Sequence, residues 1–373
     1  VEVPFFGLDR QYRRYRDNFL GISDRVLSSG KALQGADVED LERSLSAMCR
    51  RKDAVALGSC TDALAFALMS AGIGVGDEVL VTSFSFFASV SPILRVGATP
   101  RFVDIDPDYY LMNPALLDVL VTENTKAIIA VHLYGQTLAM TAMENFAHRH
   151  QLVLIEDAAQ ALGSHDCGRP AGSMGSISCV SFDPTKTVAS FSSAGALLSN
   201  DERICEKVRA LRYHGRNPKT RRYEVLGYNS QLATEMAAVL NFKLSEMDVW
   251  MKERDRVAKI YLESLSDVPQ VALPKTRPGS GHNWHKFVIK AARRDQLLQY
   301  MKERGVTTMV HYPSALCDEP LIRNLNLPLE AVDVPVARAA AADVLSLPIF
   351  PELTEDEVLH VVDSLRTFYD QRG

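Results

Sequence analysis

Several absences narrow the function of this chain before any motif is considered. No apolar stretch is long enough to cross a bilayer, which takes on the order of twenty residues. Positive charge is scarce: 41 Lys and Arg against 46 Asp and Glu leave a net charge of −5, and no basic face for reading phosphates is evident. A nucleic-acid binder is therefore not expected, and no helix-turn-helix pattern argues otherwise. The one basic cluster, Arg216 to Arg222, reads as a solvated loop, or in an oligomer as a face turned toward an anionic substrate. The six cysteines (Cys49, Cys60, Cys167, Cys179, Cys205 and Cys317) form no CxxC pair and no regular framework. That usage fits a reduced, cytoplasmic protein. The nine histidines show no metal spacing; His148 and His150 are two apart on an expected helix and point to different faces. The opening Val1-Glu2-Val3-Pro4 lacks a basic segment followed by an apolar run, so no signal peptide is expected. Internal repeats and low-complexity tracts are also absent.

What is there is an α/β pattern. With 373 residues, 47% of them apolar, the chain can form a large α/β domain and a smaller one. Strand and helix signals alternate from about residue 50 to 240. Strands are expected at Asp53–Leu57, Glu78–Val81, Arg101–Val103, Lys126–His132 and Leu152–Ile155. Helices are expected at Thr61–Ala71, Ser89–Val96 and Thr141–His150. Nearly continuous apolar strands alternating with helices predict a mostly parallel central sheet flanked by helices. From Ile177 to Ser199 the pattern becomes strand, loop, strand. Beyond about 240 it predicts a long amphipathic helix over Leu240–Leu265. A smaller C-terminal α+β domain follows, with a strand at Lys286–Ile289 and helices at Arg294–Arg304 and Glu355–Tyr369. Thr354 and Glu357 form a capping box before the last helix. The expected division is 1–240 and 241–373.

Chemistry concentrates around two residues. Lys186 lies in SFDPTK, on the loop between two strands, and Asp157 follows the apolar strand LVLIE. A lysine amine can hold an aldehyde as a Schiff base, and an aspartate can hold a protonated pyridine nitrogen. That pairing suits pyridoxal 5′-phosphate. Alone, a loop lysine is usually a solvated charge, so further parts are needed. Gly58-Ser59-Cys60-Thr61 joins a strand to a helix whose N-terminus offers free N–H groups to a phosphate. Taken by itself, the same turn is an ordinary connection with Thr61 as N-cap. Ser181, five residues before Lys186, is placed to reach the same phosphate. Phe86 follows another strand end, where an aromatic can stack on a flat ring or simply pack in the core. Gln160 is three residues past Asp157 and within reach of the ring.

The whole chain resembles the nucleotide-sugar aminotransferases, pyridoxal-phosphate enzymes of fold type I. The resemblance runs nearly end to end through SCTDAL, GIGVGDEV, GATPRFVDID, HLYGQ, IEDAAQALGS, SFDPTK, RYHGR, GYNS, VHYP and LSLPIFPELTEDEV. It implies that Lys186 is the Schiff-base lysine and proton shuttle, and that Asp157 pairs with the pyridine nitrogen. Phe86 would stack on the ring and Gln160 would pack beside it. The backbone of Cys60 and Thr61 and the hydroxyl of Ser181 would hold the phosphate. By the same resemblance Asn229 reaches the phosphate of a neighbouring subunit, which implies a homodimer with shared active sites, and residues 1–35 contact the partner. His311 and Tyr312 match a substrate-side loop, and Gln136 lies near the site. The implied reaction moves an amino group from L-glutamate, leaving 2-oxoglutarate, to a nucleotide-linked keto-deoxy sugar. HLYGQ leans toward C3 rather than C4. The chain departs from the family pattern at Ser192-Ser193-Ala194-Gly195, where the family usually has Gly-Asp/Glu-Gly-Gly. It departs also at Gln231-Leu232-Ala233, in place of Arg-Leu-Asp, and at Thr187, in place of Asn. A transaminase for a cyclitol or other non-nucleotide ketone is one alternative, and a non-catalytic, pyridoxal-phosphate-binding regulatory relative is another. A dehydratase of the same fold, which replaces the lysine with histidine, is disfavoured by Lys186.

Overall fold

The computed structural model describes residues 1–325, 327 and 333–371. Twelve strands lie among them: β1 (Asp53–Leu57), β2 (Glu78–Thr82), β3 (Thr99–Val103), β4 (Thr125–Val131), β5 (Val153–Asp157), β6 (His165–Asp166), β7 (Arg169–Pro170), β8 (Ile177–Ser181), β9 (Gly195–Ser199), β10 (Val271–Ala272), β11 (Phe287–Ala291) and β12 (Val344–Leu347). Seven form one sheet in the order β1-β9-β8-β5-β4-β2-β3. Six run parallel, and β9 is antiparallel to both its neighbours. Strands such as β4 (TKAIIAV) and β8 (ISCVS) are buried along nearly their whole length. That is what a sheet covered on both faces requires, and it accounts for apolar runs without alternation.

Helices cover those faces. Three precede the sheet: α1 (Leu8–Arg14), α2 (Arg16–Ser28) and α3 (Ala36–Met48). α3 buries Val38, Leu41 and Leu45 at helical spacing. Within the sheet's connections lie α4 (Cys60–Ser70), α5 (Ser91–Arg95) and α6 (Met140–Arg149), and after β9 come α7 (Glu202–Arg212) and α8 (Thr234–Ser245). Apolar nearly all round, α4 is buried on most sides. The remaining helices are α9 (Met247–Ser264), α10 (Arg294–Glu303), α11 (Pro320–Asn324), α12 (Pro335–Asp343) and α13 (Glu355–Gln371). No helix among the described residues is long and apolar enough to cross a membrane.

A second core joins the far part of α9, β10, β11, β12, α10 and α13 around Tyr261, Phe287, Leu345 and Phe368. The single helix expected over Leu240–Leu265 is two helices broken at Glu246. The physical reason is a change of partner. Leu240 and Leu244 of α8 pack under the large sheet, whereas Val257 and Tyr261 of α9 pack in the second core. One straight helix cannot aim its apolar face at both. Tyr15 Oη donates to the Glu246 carboxylate at 2.8 Å and ties down the corner. The Thr354–Glu357 capping box forms as expected, with the Thr354 N–H at 3.0 Å from Glu357 Oε2 and the Glu357 N–H at 3.3 Å from Thr354 Oγ1. The chain start pairs with the second core through the Val3 N–H to the Gly305 carbonyl (2.9 Å) and the Thr307 N–H to the Val3 carbonyl (2.9 Å).

Candidate active site

The parallel strands end together, and the connections leaving β1, β2, β4, β5 and β8 converge on one cavity of about 350 Å³. Carboxyl ends of parallel strands are where such sheets bind ligands. Nine of the eleven expected site residues line this cavity: Cys60, Thr61, Phe86, Asp157, Gln160, Ser181, Lys186, His311 and Tyr312. Gln136 and Asn229 do not. Gln136 is buried elsewhere, donating to the Lys275 carbonyl (3.2 Å) and accepting from the Arg277 N–H (2.9 Å). Asn229 is exposed at the surface, where its Oδ1 accepts from Gln231 at 3.4 Å.

Lys186 sits on the β8–β9 connection as expected. Its N–H closes a turn onto the Asp183 carbonyl at 2.9 Å. Burial holds its amine below the usual lysine range, against the pull of Cys60, Asp157 and Asp183. Asp157 ends β5 with its carboxylate in the cavity. Among the described residues it accepts only the Ala159 N–H at 3.1 Å and the Ser89 hydroxyl at 3.3 Å. Burial therefore raises it above the usual carboxylate range, even with Lys186 nearby. A cation placed against Asp157 would reverse that shift.

Ser59, not Thr61, caps α4: its hydroxyl accepts the Asp62 N–H at 3.1 Å. That leaves the N–H groups of Cys60 and Thr61 without helical partners, on two residues that line the cavity. A close backbone approach holds this end of the helix in place: a Cβ at Gly195 would sit 2.4 Å from the Cys60 nitrogen. Residues 192–194 depart from the family pattern, and Gly195, the glycine that is retained, is the one at this close approach. Gln160 is pinned at both ends, Oε1 accepting from the Tyr134 N–H (2.9 Å) and Nε2 donating to Tyr312 Oη (3.1 Å). The phenol of Tyr134 in turn donates to the His311 carbonyl. Phe86 is 58% exposed, with its ring 6.3 Å from that of Tyr312. It is not a core residue, so it stands free to cover a flat ring. His311 is pushed down to about 3 by burial and by Lys286 and Lys186; it is neutral near pH 7.

Residues missed by the sequence reading complete the site. Ser85 and Ser89 line it, their hydroxyls 3.0 Å apart, and Ser89 leads to Asp157. Their i, i+4 spacing was the available signal. His285 and Lys286 also line it, a polar pair directly ahead of the apolar strand Phe287–Ala291. Phe6 arrives from the chain start, for which no local signal existed.

The donor set fits pyridoxal phosphate. A helix N-terminus and the Ser181 hydroxyl suit the phosphate, an under-coordinated buried carboxylate suits a protonated ring nitrogen, and an amine of lowered basicity suits the aldehyde. Residues 15–366 match the DegT/DnrJ/EryC1/StrS aminotransferase family. Over 371 residues, 99% of each chain, the protein is 40% identical to a "Pleiotropic regulatory protein" of Geobacillus stearothermophilus. It is 37% identical to a dTDP-3-amino-3,4,6-trideoxy-alpha-D-glucose transaminase of Streptomyces venezuelae, covering 99% of this chain and 97% of that one. The crystal structure of S. venezuelae DesV in complex with a ketimine intermediate is likewise similar, with a TM-score of 0.94 at 37% identity and 98% of each chain covered. This chain belongs to the DegT/DnrJ/EryC1/StrS family and is a pyridoxal-phosphate-dependent aminotransferase.

Proposed function

We propose that the enzyme transfers an amino group from L-glutamate to C3 of a nucleotide-linked keto-deoxy sugar, in the making of amino sugars for surface polysaccharide or glycosylated natural products. The observation that carries the reading is one cavity holding both the Lys186 amine and the Asp157 carboxylate, each displaced by burial from its ordinary acidity. The choice of C3 is supported by HLYGQ and by the 3-amino product in the name of the Streptomyces transaminase.

When bound, pyridoxal phosphate supplies an electron sink that lets an amino acid's α-C–H ionise. The N–H groups of Cys60 and Thr61 and the hydroxyl of Ser181 hold its phosphate. Phe86 and Gln160 confine its ring, and Asp157 keeps its nitrogen protonated. Lys186 Nζ, made less basic by burial, takes the proton from the donor's α-carbon and in the second half-reaction gives one to the sugar's C3. His311 and Tyr312 border the side open to substrate. Asn229 serves the second subunit of a homodimer; its exposure beside Tyr223, Val225 and Leu226, all exposed, supports that reading. Exposed Leu20, Leu27 and Leu33 support partner contact by residues 1–35.

A visible spectrum before and after adding L-glutamate tests the reading. The expected result is a yellow band that gives way to the shorter-wavelength band of the aminated cofactor. The regulatory reading is favoured by the name of the Geobacillus relative, a pleiotropic regulatory protein; a band that ignores every amino donor would establish it instead.

A further inference from the structure

Lys286 is a buried amine that pairs with no carboxylate among the described residues. It is 5% exposed, and His285 before it is 3% exposed. Both line the cavity that holds Lys186. Their backbone is fixed: the Lys286 N–H donates to the Tyr134 carbonyl at 3.1 Å, and the His285 N–H to Asn283 Oδ1 at 2.9 Å. Lys286 Nζ lies 4.5 Å from the ring centre of Phe6 and 4.9 Å from that of Phe5. Among the described residues no carboxylate pairs with it. Burial, then Lys186 and Arg254, lower its basicity, and Asp183 pulls the other way. Among the described residues His285 Nδ1 is buried without a hydrogen-bond partner. Charging a buried amine is costly unless the charge is compensated, and two aromatic faces offset only part of that cost. The missing partner is therefore an anion brought in by a ligand.

Three anionic groups enter this site if it transaminates as proposed: the donor's α-carboxylate, its side-chain carboxylate and the sugar's diphosphate. Their chemistry separates them. The donor's α-carboxylate is one bond from the carbon whose proton Lys186 takes, so it must lie deep, beside that lysine. A sugar diphosphate is attached at C1, away from the reacting carbon, and its nucleoside extends toward the mouth. Lys286 is deep. The cofactor's phosphate has its own seat at the start of α4. We propose that Lys286, with the His285 imidazole that lines the same cavity, forms the subsite for the α-carboxylate of the amino donor. The assignment rests on the transamination reading of the site.

The test compares wild type, Lys286→Met and Lys286→Arg as holoenzymes. Calorimetry with glutarate, a dicarboxylate with no amine, reads carboxylate binding without chemistry, and calorimetry with dTDP reads diphosphate binding. In Lys286→Met the visible cofactor band stays. Glutarate affinity and the half-saturating L-glutamate concentration worsen roughly ten- to hundredfold, as expected for a lost charged hydrogen bond. Affinity for dTDP changes less than about twofold, and Lys286→Arg falls between. Unchanged glutarate affinity, or a larger loss for dTDP than for glutarate, overturns the assignment. Should the Met variant fail to fold, Lys286→Gln is read in the same way. A wild type whose band ignores L-glutamate sinks the transamination reading alone, while the glutarate comparison still decides the role of Lys286.

Discussion

Glu156 and Asp157 are neighbours on β5, both buried, and they point to opposite faces of the sheet. On one face Glu156 is saturated. It accepts from the Gly172 N–H (2.7 Å), the Met174 N–H (2.8 Å), the Ser178 hydroxyl (2.7 Å) and His132 Nε2 (3.0 Å). The tautomer of His132 is set by the Leu138 N–H, which donates to Nδ1 at 3.2 Å. Burial alone would raise Glu156, but these bonds, led by that from His132, hold it below the usual range. On the other face Asp157 has two weak donors and is raised. The two residues have the same charge, depth and strand. They differ in how many donors the fold has aimed at each. A fully satisfied buried carboxylate fastens the β5–β8 pairing at the middle of the sheet; a half-satisfied one is left for a ligand.

The sharpest break in that comparison comes from the cavity side. Lys186→Ala should abolish turnover and the response of the visible band to L-glutamate, with the fold retained; turnover above background would remove Lys186 from the mechanism. Asp157→Asn is isosteric and should leave the melting temperature within a few degrees. It should lower turnover by about two orders of magnitude or more, the scale of a lost proton-holding group. Near-wild-type rates would mean the ring nitrogen needs no anion here.

Much of the fold around this contrast was legible in the sequence, for reasons that can be named. The alternating pattern placed β4 and β5 because strands buried on both faces read as unbroken apolar runs. The acid closing LVLIED marked a strand's carboxyl end, where sites form. Lys186 was legible as a loop residue between two small-residue strands. Nothing local separated Glu156 from Asp157, because the donors that saturate Glu156 come from residues 132 and 172–178 and meet it only in the fold. The Lys286 site was hidden in the same way, since Phe5 and Phe6 reach it from the opposite end of the chain. The break at Glu246 was missed because amphipathic spacing shows that a face is apolar but not which core it meets.

On the opposite face the expected effect is on stability. Glu156→Gln should cost roughly 3 kcal/mol, because an amide nitrogen would face donors that the carboxylate now satisfies. Chemical denaturation would measure it. The folded fraction should keep most of its response to L-glutamate. If Glu156→Gln loses activity while its stability is unchanged, the division of labour between the two acids is wrong.

The smallest effect extends the comparison to a cation. Lys243 on α8 is fully buried, yet it serves the core rather than the cavity. Its Nζ donates to the Ala189 carbonyl at 2.5 Å, three residues past Lys186, and lies 4.2 Å from the ring centre of Phe191. Burial lowers it to about 7, with Glu352 pulling weakly the other way. An unfolded lysine titrates near 10.4. Between those values the unfolded chain binds more protons than the folded one, so this residue's contribution to stability rises with pH through that window. Below pH 7 both states carry the proton and the wild type bears the full cost of the buried charge. Lys243→Met removes that cost but leaves the Ala189 carbonyl unpaired, at about 1 kcal/mol. The mutant's stability relative to wild type should therefore be highest near pH 6 and fall by about 2–4 kcal/mol toward pH 10. Denaturation curves of both proteins across that range would show it. A difference that stays flat would mean Lys243 keeps its charge throughout, held by the Ala189 carbonyl and Phe191 more firmly than burial opposes it.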